Sequence, residues 1–190
     1  MKFFSTFILL LFFGKVAAQN SNSLPKDQFY LESTVLALRS THTNYFNGFS
    51  LLFGDHLNQK FNLALGYEYS GSKFHNDNDW RLYNLSFNVI LIREQFTLFS
   101  KKKFNLSADF REGLSFIKYV KEEPLVRKNY RYRVKEKGLY LYGGIDAKYE
   151  VSKCIAIVSD LGIKGLHMST NVYEVNPHGL NFMVGLQVKI

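Results

Sequence analysis

The chain has 190 residues, a single cysteine, three prolines and 16% aromatic residues, with 24 Lys and Arg against 16 Asp and Glu, a formal charge of +8. One cysteine excludes a disulfide framework, the length suits one domain, and no run beyond the amino-terminal segment reaches the roughly 18 apolar residues of a membrane-spanning helix. The basic balance suits an anionic partner such as phosphate-rich lipid and does not call for nucleic acid.

The first residues, MKFFSTFILLLFFGKVAAQ, have the layout of a secretory leader. Lys2 supplies the positive end, Phe3 to Phe13 an apolar stretch too short to span as a helix, and Val16-Ala17-Ala18 a small-residue cleavage site. A leader over residues 1–18 and a mature domain over 19–190 are therefore expected. Loss of Lys2 and Lys15 with the leader lowers the formal charge from +8 to +6.

From Gln19 onward the chain reads in twos, the period of a strand with one apolar face. Two less regular strands are predicted near 28–41 and 46–54. In FNLALGYEYS, Phe61, Leu63, Leu65, Tyr67 and Tyr69 share a face opposite Asn62, Ala64, Gly66, Glu68 and Ser70. In LYNLSFNVIL the apolar row is Tyr83, Leu85, Phe87, Val89 and Leu91, opposed by Asn84, Ser86 and Asn88. FNLSADFREGLSF sets Phe104, Leu106, Ala108, Phe110, Leu114 and Phe116 against Asn105, Ser107, Asp109, Arg111, Gly113 and Ser115. GLYLYGGIDAKYEV opposes Leu139, Leu141, Ile145, Ala147, Tyr149 and Val151 to Gly144, Asp146, Lys148 and Glu150. A seventh strand runs near 153–168. The last, GLNFMVGLQVKI, opposes Leu180, Phe182, Val184, Leu186, Val188 and Ile190 to Asn181, Met183, Gly185, Gln187 and Lys189.

Eight strands joined by connections of two kinds imply a closed antiparallel up-and-down barrel. GDHLNQK, REQFTLFSKKK and VSK read as turns. THTNYFN, SKFHNDND, KEEPLVRKNYRYRVKEK and STNVYEVNPH read as polar loops. A soluble lipocalin-like carrier would turn the apolar face inward around a ligand, whereas an outer-membrane barrel turns it to lipid. Bulky residues on every apolar row favour the membrane. So do charges on the other face that could pair inside (Asp109, Arg111, Asp146, Lys148, Glu150, Asp160, Lys164), since only pairing makes their burial tolerable. Aromatics near strand ends (Phe29, Tyr30, Tyr69, Trp80, Tyr83, Phe104, Phe116, Tyr119, Tyr149) fit interfacial girdles. An interior that side chains fill argues against a general porin.

On this pattern the mature chain resembles the small eight-stranded outer-membrane barrels of Gram-negative bacteria, the OmpA/OmpX-like size class. The resemblance implies a monomeric barrel in the outer membrane, loops facing the exterior, and a structural or surface-interaction role. The stretch KGLHMSTNVYEVNPHGLNF, residues 164–182, locally resembles the lipid A 3-O-deacylase (PagL-like) family, which carries His-x-Ser on its penultimate strand. The resemblance implies an esterase with Ser169 as nucleophile and His167 as general base, with Asn176 and Gly179 in the following loop segment. It departs from that family at Thr170, where an asparagine is usual and Asn171 comes one later. It departs again at Asn181, which stands where the orienting acid belongs and stabilises an imidazolium less well. Glu174 is another acid nearby. The bland reading makes His167 and Ser169 polar residues where a strand leaves the membrane.

Residues 121–137 carry seven Lys or Arg and three Asp or Glu, with tyrosines interleaved. Above an anionic leaflet, Arg127, Lys128, Arg131 and Arg133 are candidate contacts for lipopolysaccharide phosphate. His75, Asp77 and Asp79 fall in a polar hairpin tip without the closing acid of a calcium loop. The five histidines lack metal-ligand spacing, so neither metal nor cofactor is expected.

Overall fold

The computed structural model describes residues 29–40, 45–77, 80–123, 130–168 and 178–190, with backbone only for 74–77, 80, 123, 167 and 168. Eight strands follow one another: β1 (Phe29–Ser40), β2 (Tyr45–His56), β3 (Phe61–Asp77), β4 (Trp80–Lys101), β5 (Phe104–Glu123), β6 (Tyr130–Glu150), β7 (Ile155–Met168) and β8 (Gly179–Lys189). Each pairs antiparallel with the next, and β1 closes the ring on β8 from Tyr30↔Lys189 to Ser40↔Gly179. The expected leader, residues 1–18, lies outside the described residues.

Local chemistry fixes the tight end of the barrel. Asn58 Oδ1 accepts from the backbone N–H of Lys60 and Phe61 between β2 and β3. Ser152 Oγ does the same for Cys154 and Ile155 between β6 and β7. Such side-chain mimics of a backbone turn are what short polar residues supply. Between β4 and β5 only Lys102 and Lys103 intervene, with Lys102 at a φ of 53°. REQFTLFSKKK is therefore mostly strand, not a connection. A bulge between Thr97 and Phe99 had blurred its alternation. At the other end KEEPLVRKNYRYRVKEK is likewise mostly paired strand, β5 with β6 from Glu123↔Tyr130 onward.

Alternation sorts the side chains as expected on β3, β5, β6 and β8. Outward rows such as Leu31 and Val35, Leu161 and Ile163, or Leu180 and Phe182 are exposed. A patch of that size would aggregate in water, but lipid covers it. β4 is the exception. Leu85, Phe87, Val89 and Leu91 point into the barrel and are at most 1% exposed, so the lipid-facing assignment of that row is overturned. The opposite, outward face is polar at Asn84, Ser86 and Asn88 and becomes apolar only at Ile90, Ile92 and Phe96, so the period is kept but its sense is reversed. Arg93 decides: it continues the inner row and finds its carboxylates inside. Tyr30 and Tyr119, expected in the girdles, are also inward and buried. Phe29, Phe104 and Tyr149 do face outward near the tight turns.

Candidate functional site

The lumen has two layers. Toward the tight turns it is ionic. Arg93 on β4 is the hub: its Nη1 donates to both Glu32 oxygens at 2.8 and 2.9 Å, and its Nη2 lies 2.9 Å from Asp109 and 3.3 Å from Asp146. Arg111 on β5 spans Asp109 at 2.8 Å and Asp160 at 2.7 Å. Neutral groups extend the network: Gln95 donates to Asp146, Asn62 to Gln95, and Tyr142 to Asp160. The Tyr142 hydroxyl lies over Gly144 and Gly162, where a Cβ would stand 2.3 and 2.4 Å from it, so only glycine leaves it room to reach Asp160. Above these, Lys164 and the Tyr140 hydroxyl both donate to Glu68. Charges this deeply buried are tolerable because each has a partner.

Toward the long hairpins the lumen is mainly apolar, with Lys121, Glu122 and Glu136 buried beside the apolar side chains. Leu36, Leu38, Phe46, Leu82, Leu85, Phe87 and their neighbours form one buried cluster, with the Phe46 and Phe87 rings edge-on at 5.7 Å. At the tight-turn mouth a cavity of about 530 Å³ is lined by His56, Lys60, Asn105, Lys148, Glu150 and Lys189 among others. Lys189 pairs with Glu150 there at 2.8 Å. Of the interior charges expected from the sequence, Asp109, Arg111, Asp146, Asp160 and Lys164 are thus paired inside, whereas Lys148 and Glu150 line the mouth cavity; Glu32, Glu68 and Arg93 are members that the expected set lacks. Arg93 fell just past the stretch read for alternation, and Glu32 lay in a strand whose alternation is weak.

The hairpin of β5 and β6 carries the basic segment. Arg127 and Lys128 lie outside the described residues. Arg131 is engaged within the protein. Its Nε donates to the Glu122 carboxylate, which raises its pKa, and its guanidinium stacks 5.1 Å over Tyr83. Arg133 is exposed. Lys135 and Lys137 follow at every second residue, and all three are exposed on β6. Lys118 on β5 is directly opposite Lys135. The period-two spacing in RVKEK is the signal that finds Lys135 and Lys137, while no pattern in the sequence singles out Lys118. Two carboxylates face outward as well. Glu94 lies between Leu63 and Phe110, and Glu112 between Ile92 and Leu141, on the lipid-facing wall.

Of the residues proposed for catalysis, Ser169 lies outside the described residues, as do Thr170, Asn171, Glu174 and Asn176. The backbone of His167 pairs with Leu139, an exposed outward position. Asn181 is on the inner face, fully buried, opposite Gly162 on β7 and Leu38 on β1. Its amide has no hydrogen-bond partner among the described residues, and the β7–β8 register runs without a shift beside it. The wall of the barrel therefore stands between Asn181 and the outward row to which position 167 belongs. Among the described residues no group of His, Cys, Asp or Glu is placed to hold a metal ion.

This architecture is that of the small transmembrane barrels of outer membranes. The chain shares its fold with a major outer membrane protein of Thermus thermophilus, at a TM-score of 0.61 and 10% identity, over 86% of this chain and 98% of that one. It shares it also with the attachment invasion locus protein Ail of Yersinia pestis, at 0.54 and 9%, over 86% and 97%. A third is the amino-terminal β-barrel domain of Pseudomonas aeruginosa OprF, at 0.51 and 14%, over 83% and 96%. No family model matches the sequence, and no curated protein matches it. The fold, with an apolar exterior that only a bilayer covers, locates the protein in the outer membrane. A lipocalin-like carrier is excluded by the same geometry, because the apolar rows face out and the interior is filled.

Proposed function

We propose that the protein is a closed, monomeric outer-membrane barrel that acts through its outer surface, in a structural or surface-interaction role, rather than by conducting solutes. One contrast carries the reading. The lumen is filled by an ionic and an apolar layer, whereas β4, β5 and β6 run for 22, 20 and 21 residues. A crossing needs only about 9–11, so roughly half of each is free to stand beyond the membrane as a twisted ribbon. That ribbon is held stiff by contacts between its own side chains: Tyr119 to Glu136 at 2.9 Å, and Lys121 over the Tyr132 ring at 5.9 Å. A preorganised ribbon loses little freedom on meeting a partner. In this reading the leader over residues 1–18 delivers the chain, the ribbon faces the exterior, and its basic groups meet the phosphates of lipopolysaccharide. Among barrels of this fold, the Yersinia pestis attachment protein is known in complex with the heparin analogue sucrose octasulfate, which makes that polyanion a natural control.

The test is protease access on intact cells. Cleavage within 124–129 from outside, with a barrel that stays folded and passes no current in planar bilayers, is the expected result. Protection from outside, or steady open-channel current, overturns the reading. A second reading, an esterase acting on lipid A with Ser169 and His167, draws support from the outward row to which position 167 belongs; mass spectrometry of lipid A from cells expressing Ser169→Ala tests it.

A further inference from the structure

The outward face has a recess at the border where its apolar rows end. On each strand from β2 to β6 the lipid-facing residues change character within two positions. Leu51 and Phe49 give way to Asn47; Leu65 to Tyr67, Tyr69 and Gly71; Ile90 to Asn88 and Ser86; Leu114 and Phe116 to Lys118; Leu139 to Lys137 and Lys135. The sheet register joins one position of this border on each of the five strands into a continuous row, Asn47↔Gly71↔Ser86↔Lys118↔Lys135. Just below it the Tyr67 hydroxyl donates to Asn88 Oδ1 at 2.7 Å, as a girdle tyrosine with its ring in lipid and its oxygen in the headgroups does.

At the β2–β4 end this row sinks into a groove of about 580 Å³. Three features make it. Gly71 and Ser86 present almost no side chain at its floor. Tyr45 and Tyr69 line it. At Asn84 the β4 backbone takes a φ of 53°, with a register shift between Tyr83 and Ser86. A bulge of this kind bends the strand locally and re-aims its side chains. The lining offers groups able to hold a sugar: two tyrosine rings, the amides of Asn47 and Asn84, Lys73, and the Ser86 hydroxyl, which here donates to the Lys118 carbonyl at 3.4 Å. Beside it stand Lys118, Lys135 and Lys137, the last 5.7 Å over the Phe116 ring, and none of the four lysines is paired with a carboxylate among the described residues. Cations with no carboxylate partner among the described residues, at the border of an apolar wall and next to amides and hydroxyls, match one kind of molecule. It carries phosphate and sugar at the level of the row and hydrocarbon below it.

We propose that this groove and its lysine row form a specific seat for the phosphorylated sugar headgroup of an outer-leaflet glycolipid, with the acyl chains lying down the wall along Tyr67, Leu65, Ile90 and Leu114. The proposal rests on the reading above, in that the long-hairpin end must face outward. The seat then fixes one lipid against β2–β6 and ties the ribbon to the leaflet it stands on. The candidate contacts Arg127, Lys128, Arg131 and Arg133 are not required for it.

The experiment uses the full mature chain folded in phosphatidylcholine nanodiscs containing purified lipid A, followed by native mass spectrometry of the released barrel. The wild type is expected to retain one lipid A, and to retain the dephosphorylated form at least about tenfold less, as loss of charge-assisted contacts implies. Two variants probe the two parts of the seat: Lys73→Gln with Lys118→Gln and Lys135→Gln removes the charges, and Ser86→Trp fills the groove. Both change only outward residues, and heat-modifiable gel migration confirms that they fold. Each is expected to lose lipid A by about tenfold or more. Equal retention of lipid A and phosphatidylcholine overturns the proposal. So does undiminished retention by the folded Ser86→Trp variant. If soluble sucrose octasulfate competes fully for the retained lipid, the row is a general polyanion surface and the proposal of a glycolipid seat falls. Protease access from outside the cell, measured separately, distinguishes failure of the seat from failure of the orientation beneath it.

Discussion

The two halves of the lumen solve the same problem by opposite means. Toward the tight turns the barrel is filled by Arg93, Arg111 and the carboxylates between them, each placed to within hydrogen-bond distance of a partner on another strand. Toward the long hairpins it is filled mainly by leucine and phenylalanine, which need only volume and shape, although Lys121, Glu122 and Glu136 are buried at that end too. The ionic half is specific but unforgiving, because a lost partner leaves a buried charge alone. The apolar half is tolerant, because its neighbours can shift into a gap. With the two halves placed in series along the axis, the proposed closed barrel has two seals, and each should suffice without the other.

Removing the hub should have the largest effect. Arg93→Leu leaves Glu32, Asp109 and Asp146 facing one another and should cost about 3–5 kcal/mol, read as a lower urea midpoint for the barrel unfolding from lipid vesicles. A smaller cost is expected in the other half: Leu85→Ala at about 2–3 kcal/mol. If the two changes cost the same, the contrast between halves is wrong. Conductance sharpens it. Neither change alone should open a current in planar bilayers, because the intact half still closes the lumen, whereas the two together should. Current through either single variant would mean that only one half is the seal.

A third change tests the outer wall against the inner one. Glu94 and Glu112 face lipid, between Leu63 and Phe110 and between Ile92 and Leu141. An acid on the lipid face is costly, though less so than a base, so Glu94→Leu with Glu112→Leu should stabilise the barrel by about 1–2 kcal/mol. Destabilisation would show that the two carboxylates make contacts within the membrane that lipid does not supply.

How far these features were legible follows from the same contrast. Eight strands, their antiparallel closure and the outward rows of β3, β5, β6 and β8 could be read off directly, because one face of each is apolar and the other is not. β4 could not be oriented in this way. Its inner row is the apolar one, since it passes through the apolar half of the lumen, while Ser86 and Asn88 face outward, so alternation points the wrong way and only the charge at Arg93 tells inside from outside. The bulges at Asn84 and near Thr97 broke the period where it would have been most useful. The groove on the outer wall was beyond reach for a different reason. It is made of residues from three strands brought level by register, and register is set by pairing, which no single strand records. Of the basic hairpin, the sequence showed the charge but not its division between Arg131, tied to Glu122 and Tyr83, and the outward lysines.

The smallest effect is expected at the stretch whose local pattern looked most like chemistry. An esterase needs its nucleophile, base and orienting group on one side of the wall, within hydrogen-bond reach of each other. Position 167 belongs to the outward row with Leu139, and Asn181 is buried in the lumen with the sheet between them. The third member would have to come from elsewhere. Ser169→Ala and His167→Ala should therefore leave lipid A unchanged, with the same acyl chains seen by mass spectrometry in cells expressing either variant or the wild type. Loss of one hydroxyacyl chain with the wild type alone would make Ser169 a nucleophile after all. The headgroup seat on β2–β6 would then be a place to hold a lipid, and the β7–β8 rim a second, catalytic one, on the same outer wall.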